Sequence, residues 1–171
     1  MPEIKITALV GDLTKQPDCE AIVNSANPSM LKGSGVCGAI HRAAGPELEQ
    51  YGRPLGPLCL GQAVITPAFN LPNSFVIHVS APKYHFDPDP PSNLALSISN
   101  ALKLAEANGV KRIAFPAIAT GVYGYPMEDA IDVFIDVASK FLSSEVLEEV
   151  RFVFASAVDA SLMSERLFKS N

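Results

Sequence analysis

Short apolar runs alternate with helical patterns along almost the whole chain, and this alternation constrains the fold more than any other feature. Ile4 to Val10 and Ala21 to Val23 read as strands, and Gly35 to Ala44 as a helix with Val36, Ala39, Ile40 and Ala43 on one face. Ala63 to Thr66 and Phe75 to Val79 are β-branched and aromatic runs that predict two more strands. Leu94, Ile98, Ala101, Leu102 and Ala105 keep helical spacing, with Gly109 as the stop. Arg112 to Ile118 predicts a strand. Pro126, with Glu128 and Asp129 behind it, opens a helix whose core stripe is Ile131, Ile135 and Ala138, flanked by Phe134 and Phe141. Val150 to Phe154 and Ala160 to Phe168 predict a last strand and a last helix. Such alternation implies a mostly parallel sheet covered on both faces, the α/β class. Ligands of such sheets sit outside the carboxyl ends of the strands, so the loops that follow strands matter most.

The 171 residues hold no repeat, low-complexity tract or long linker, so we expect a single domain over 1–171. The 13 Lys and Arg face 18 Asp and Glu, a formal net charge of -5. That balance argues against a nucleic-acid partner bound through a basic face. It leaves room for a small anion, which backbone dipoles hold whatever the global charge. Three cysteines, Cys19, Cys37 and Cys59, form no disulfide framework and imply reduced thiols and a cytoplasmic setting. The segment from Met1 to Lys5 lacks a signal-peptide layout, and no apolar run is long enough to span a membrane.

Four segments carry candidate chemistry. Gly11-Asp12-Leu13-Thr14 follows the first strand, where Asp12 reads either as a turn cap or as an acceptor for an exocyclic amine. Asn24-Ser25-Ala26-Asn27-Pro28 reads as turn chemistry or as carboxamides for sugar hydroxyls. In Lys32 to Ile40, Gly33, Gly35 and Gly38 match G-x-G-x-x-G. The dinucleotide version fails, because a long loop separates the glycines from their strand and no acidic residue follows at the ribose position. Glycines still let backbone approach a diphosphate, and a helix beginning at once offers free N–H groups. Ala119-Thr120-Gly121-Val122-Tyr123-Gly124-Tyr125-Pro126 repeats the scheme of strand, glycine turn and helix start. It contains no Lys or Arg, so amides would hold any anion there. Tyr123 reads as packing at the sheet end or as a cover for a sugar.

Cys37 and His41 share a helix face at i and i+4. They read as a small buried thiol beside a partly exposed histidine, or as a thiol nucleophile near a helix start. His41, His78 and His85 lack metal spacing, and Lys83 to Pro91 reads as a Pro- and Asp-rich surface loop without a role.

Together the four segments resemble the macro domain family, over nearly the whole chain and in the same order. The resemblance rests also on Gly35-Val36-Cys37-Gly38-Ala39-Ile40-His41-Arg42-Ala43-Ala44-Gly45 and Pro116-Ala117-Ile118. It is greatest to the branch of hydrolases acting on mono-ADP-ribosylated protein and O-acetyl-ADP-ribose. It implies a three-layer α/β/α fold with a mixed, mostly parallel sheet, and ADP-ribose or its derivatives as ligand, with mono-ADP-ribosylated proteins as partners. By resemblance Asp12 holds the adenine amine, with Leu13 contributing backbone. Asn27 orients the distal ribose. Gly33, Ser34, Gly35, Val36 and Gly38, with Thr120, Gly121, Val122 and Gly124, clasp the diphosphate, Ala119 is a further ligand-binding candidate, and Tyr123 packs on the distal ribose. Asn27, Cys37 and Tyr123 are the catalytic candidates, with no metal and no cofactor. In that branch the position of Cys37 is usually Asp, which keeps open a non-catalytic reader module. A Cys37 thiol enzyme and an ADP-ribose 1''-phosphate phosphatase are weaker alternatives. Ala155-Ser156-Ala157-Val158 stands where relatives often carry an aromatic residue, which leaves the adenine to aliphatic groups or to Phe154.

Overall fold

The computed structural model describes residues 3–169. It holds six strands, β1 (Lys5–Val10), β2 (Ala21–Ser25), β3 (Ala63–Pro67), β4 (Phe75–Val79), β5 (Arg112–Phe115) and β6 (Glu149–Phe154). Five helices accompany them: α1 (Gly35–Ala44), α2 (Glu47–Gly52), α3 (Pro90–Ala107), α4 (Met127–Ser139) and α5 (Ala157–Lys169). The strands form one sheet in the order β1-β6-β5-β2-β4-β3, parallel throughout except for β3 against β4. The expected mixed, mostly parallel sheet is therefore present, within three α/β/α layers.

The two-residue period of the strands sorts the core. Ala21, Val23, Ile77, Val79, Ile113, Phe115, Val150, Phe152 and Phe154 face the layer of α3, α4 and α5. Ile22, Val76, Ala114 and Val153 face Ile40, Ala44 and Leu48 of α1 and α2. The larger core is anchored by Phe152, whose ring stacks on Phe115 at 5.1 Å and on Phe134 at 5.0 Å. Arg151 points to the α1 side and is 7% exposed. It donates to Asp18, Gln16 and Glu149 at 2.6–3.1 Å, which satisfies a cation that would otherwise be costly to bury. Those bonds hold the Asp18 carboxyl down at about 2.

Several elements depart from the sequence pattern. Strand β2 runs through Asn24 and Ser25, which were expected in the loop, because both pair in register with β4. Strand β5 stops at Phe115 rather than Ile118, since its carboxyl end turns through Pro116. The core stripe of α4 is Ala130, Ile131, Phe134, Val137 and Ala138. Phe134 is thus central rather than flanking, and Ile135 is only half-buried. The buried stripe of α1 is Cys37, Gly38, Ile40, His41 and Ala44, one position round from the expected face, with Val36 left exposed. Pro90 and Pro91 lie in the first turn of α3 rather than in the preceding loop, where proline costs no hydrogen bond.

Phe152→Ala should cost about 3–5 kcal/mol, because its ring is fully buried between two others. Denaturant unfolding of the variant against the parent checks this; a loss below about 1 kcal/mol would contradict the packing.

Candidate functional site

The sheet divides at one place. Strands β2 and β5 pair only through Ala21 with Ile113 and Ile22 with Ala114. Beyond that point Val23 to Ser25 stay with β4, while Phe115 stays with β6. The carboxyl ends of two central neighbours therefore part, and a pocket of about 450 Å³ opens between the chains that leave them. One wall is Gly33, Ser34, Gly35, Val36 and Cys37, and the other is Pro116 to Ala119 with Gly121, Val122 and Tyr123; Ser25 and Asn27 complete it. Both glycine loops thus face one cavity at one rim of the sheet.

Each wall presents unused backbone donors. Ser34 caps α1 without a side-chain hydrogen bond, no acid stands in the first turn, and the first bond is Gly38 N–H to the Ser34 carbonyl at 3.2 Å. The amides of Gly35, Val36 and Cys37 thus lack helical acceptors. On the facing wall, those of Gly121, Val122 and Tyr123 have no acceptor among the described residues. Two details hold these conformations. Gly35 has φ +59, a region costly for other residues. A β-carbon at Gly38 would lie 2.5 Å from the Gly33 carbonyl oxygen, so only glycine lets the loop close on the helix. Opposite, Ala119 at φ 71 is bridged by Tyr125 N–H to its carbonyl, 2.9 Å.

No charged side chain lines the pocket. Asn27 holds its own loop: its Nδ2 donates to the Leu31 carbonyl and its Oδ1 accepts from Leu31 N–H at 3.0 Å. A carboxamide has capacity left for a ligand after those two bonds. Cys37 is buried, with Asn24 Nδ2 at 3.7 Å from its Sγ and the Leu31 carbonyl at 3.8 Å. Tyr123 is half-buried, packs against the core and still lines the cavity. Burial, and then Cys37, push its phenol upward, so it stays neutral.

Under the floor, on the α1 face, runs a polar line that the sequence did not mark. Asn24 Nδ2 lies 3.1 Å from His78 Nδ1, and His78 Nε2 lies 2.9 Å from Thr66 Oγ1, which bonds the Pro67 carbonyl at 3.0 Å. An amide donor at Nδ1 requires the proton on Nε2, so the line reads donor to acceptor from Asn24 through to Pro67. Burial, then His41, lower the His78 pKa to about 3. His41 is also buried, contrary to the partly exposed ring expected, and burial lowers its pKa too. The signal for Asn24 and His78 was their register as direct partners across β2 and β4, visible only once strand order is known.

Other candidates lie outside the cavity. Asp12 Oδ1 accepts from the Thr14 amide at 2.9 Å and its hydroxyl at 2.6 Å, bonds that lower the carboxyl pKa. Leu13 is core. Thr120 bonds the Ala117 carbonyl at 2.6 Å, and Gly38 and Gly124 support the walls from behind. Phe154 is only 2% exposed and offers no face to a ligand, whereas Val10 and Val158 are exposed at that end of the sheet. The loop given no role packs on the second wall: Tyr84 N–H donates to the Tyr123 carbonyl at 2.8 Å. Among the described residues no cluster of His, Cys, Asp and Glu is placed to hold a metal ion, and no helix is long and apolar enough to cross a membrane.

Fold and pocket define an α/β domain that offers backbone amides to an anion at a split in its sheet. The chain belongs to the macro domain family, whose model it matches over residues 23–134. It is 42% identical to the O-acetyl-ADP-ribose deacetylase of Enterobacter sp. (strain 638), over 98% of this chain and 95% of that one. The ADP-ribose glycohydrolase MACROD2 of Xenopus laevis is 40% identical over 95% of this chain, which spans 40% of that longer protein. Among solved structures, a mutant Oceanobacillus iheyensis macrodomain with ADPR superposes with a TM-score of 0.90 at 38% identity, over 96% of this chain and 91% of the other. A Trypanosoma brucei macrodomain in complex with ADP-ribose gives 0.88 at 31% identity, over 95% and 68%.

Two outcomes are expected from this geometry. Gly38→Ala should destabilise the protein by about 1–3 kcal/mol, because the new methyl group meets backbone rather than a movable side chain; an unchanged melting temperature would refute the contact. His78 should show flat ring resonances by NMR from pH 8 down to about pH 4. Its folded pKa lies below the unfolded value of 6.5. Its contribution to stability is therefore full above that pH and is lost as pH falls towards 3. A midpoint near 6.5 in the folded protein would refute the buried neutral ring.

Proposed function

We propose that this protein binds ADP-ribose in the split of its sheet and hydrolyses ADP-ribose esters, either O-acetyl-ADP-ribose or a mono-ADP-ribosylated protein. The observation that carries the reading is the pair of amide-bearing loops facing one cavity with no charged side chain between them. Fixed N–H groups at a helix start and in a tight turn suit a pyrophosphate, and they need no reorganisation when it arrives. The names of the relatives, a deacetylase and a glycohydrolase, support the same ligand class.

In this reading Gly33 to Val36 and Ala119 to Val122 hold the diphosphate, Asn27 uses its spare carboxamide capacity on the distal ribose, and Tyr123 covers that sugar. Thr120, Gly38 and Gly124 act by shaping the walls. Asp12 and Leu13 lie towards the adenine, which rests on aliphatic surface such as Val10 and Val158. A water oxygen then bonds to the acyl carbon as the ester C–O bond to ribose breaks, giving the free acid and ADP-ribose. The lining supplies no carboxylate to take the water's proton. Substrate phosphate is the nearest base on this account, and Cys37 shapes the water's pocket instead of attacking.

The missing carboxylate is also what favours a second reading, a module that binds ADP-ribose and leaves it intact. Binding comes first as a test. Free ADP-ribose at ~100 times its Kd should stabilise the fold by roughly 2.7 kcal/mol, a rise of roughly 5–10 °C in melting temperature. No shift would overturn both readings. Turnover of O-acetyl-ADP-ribose or modified protein decides between them. The hydrolase reading expects Asn27→Ala to cut kcat/KM on the order of 100-fold through lost positioning, and Cys37→Ala to keep most activity. Binding without turnover leaves the reader.

A further inference from the structure

The pocket lining is uncharged, yet one cation is held against it. Lys83 Nζ lies 5.6 Å from the centroid of the Tyr123 ring, within reach of the negative face of the aromatic system. The lysine is exposed and has no carboxylate partner among the described residues. Its place is built by its neighbours. Tyr84 N–H holds the Tyr123 carbonyl at 2.8 Å, and the Tyr84 ring packs edge-on against Tyr125 at 4.9 Å. Ring atoms of His85 stand 3.3 Å from where a β-carbon of Gly124 would lie. The segment after β4 is therefore clamped to the Tyr123 wall, and the flexible stem of Lys83 starts from a fixed point beside the cavity mouth.

We propose that Lys83 is a positioning residue for the anionic part of the ligand: its ammonium rests on the Tyr123 face in the free protein and moves onto negative charge that enters the pocket. This rests on the reading of the site as one for a pyrophosphate-bearing ligand. An exposed cation–π contact is weak, so little opposes the move, and no acidic side chain competes for the ammonium. The amides then fix geometry, while Lys83 adds long-range attraction on the Tyr123 side of a chain that is negative overall. Charge at the rim of a site chiefly sets capture and its salt dependence.

Calorimetric titration of ADP-ribose into the whole protein tests this with K83M, which keeps the stem over Tyr123 and removes the charge, and with K83R. At low salt K83M should bind about two- to fivefold more weakly than the parent. The gap should shrink at several hundred millimolar salt as screening removes the attraction. K83R should recover most of the affinity, since it restores charge in the same place. A K83M protein with parental affinity at low salt overturns the proposal, as does a deficit that salt leaves unchanged or that arginine fails to repair. A parent protein blind to ADP-ribose overturns the functional reading as well, whereas a parent that binds with no dependence on Lys83 overturns this inference alone.

Discussion

The short parallel contact between β2 and β5 is the constraint on which the rest of the site depends. Two register pairs join these strands at the sheet centre, and beyond Ile22 and Ala114 each follows a different neighbour. A longer pairing would close the sheet and leave no cavity. A shorter one would cut the fold into two sheets, separating Phe115 and Phe152 from Ile77 and Val79 in the shared core. The pocket is thus a consequence of strand order, and its walls are whatever chain leaves β2 and β5. Both exits then reach the start of a helix after a glycine turn, which brings unused N–H groups to the same opening from two sides.

Beneath that opening the sheet carries polar groups where hydrophobic ones would pack more cheaply. Asn24, His78 and Thr66 lie on the α1 face, fully or almost fully buried. Their bonds run in one direction, each donor finding an acceptor until the Pro67 carbonyl ends the line. A directed chain of this kind holds its members in one arrangement, and it leaves one buried acceptor, Asn24 Oδ1, without a hydrogen-bond partner among the described residues. Because His78 stays neutral, the floor under Cys37 brings no net charge towards the cavity. Any anion above it meets dipoles below and amides at the sides.

Much of this was legible in the sequence, for local reasons. The limits of α1 and β4 are set by glycines and by β-branched runs, and both fall where the pattern places them. The two glycine loops carry their own conformational signatures, and parallel strand order places them on one rim. What escaped was decided by tertiary contact. Val36 belongs to an apolar period but turns to the cavity, because Gly38 must face Gly33 for the loop to close. Phe134 displaces Ile135 from the core because Phe152 waits opposite. Asn24 looked like a turn residue since carboxamides favour turns, yet its backbone is held by the β4 ladder. The segment 83–85 matters only through contacts with residues about forty positions later, a relation no local pattern encodes.

Holding an anion with a negatively charged chain need not be a contradiction. Amide dipoles act over a few ångströms and care little for the net charge, while the repulsion from distant carboxylates is screened within about 8–10 Å at moderate salt. Four of the carboxylates also sit beside arginines away from the pocket: Asp18 and Glu149 on Arg151, Asp132 on Arg166, and Glu49 on Arg53. The same logic explains why the cavity tolerates no charged wall. A fixed lysine inside it would need a counter-ion whenever the site stood free, and that partner would then compete with the ligand. A cation parked on an aromatic face outside the lining avoids that cost, because a quadrupole satisfies it partly and releases it readily.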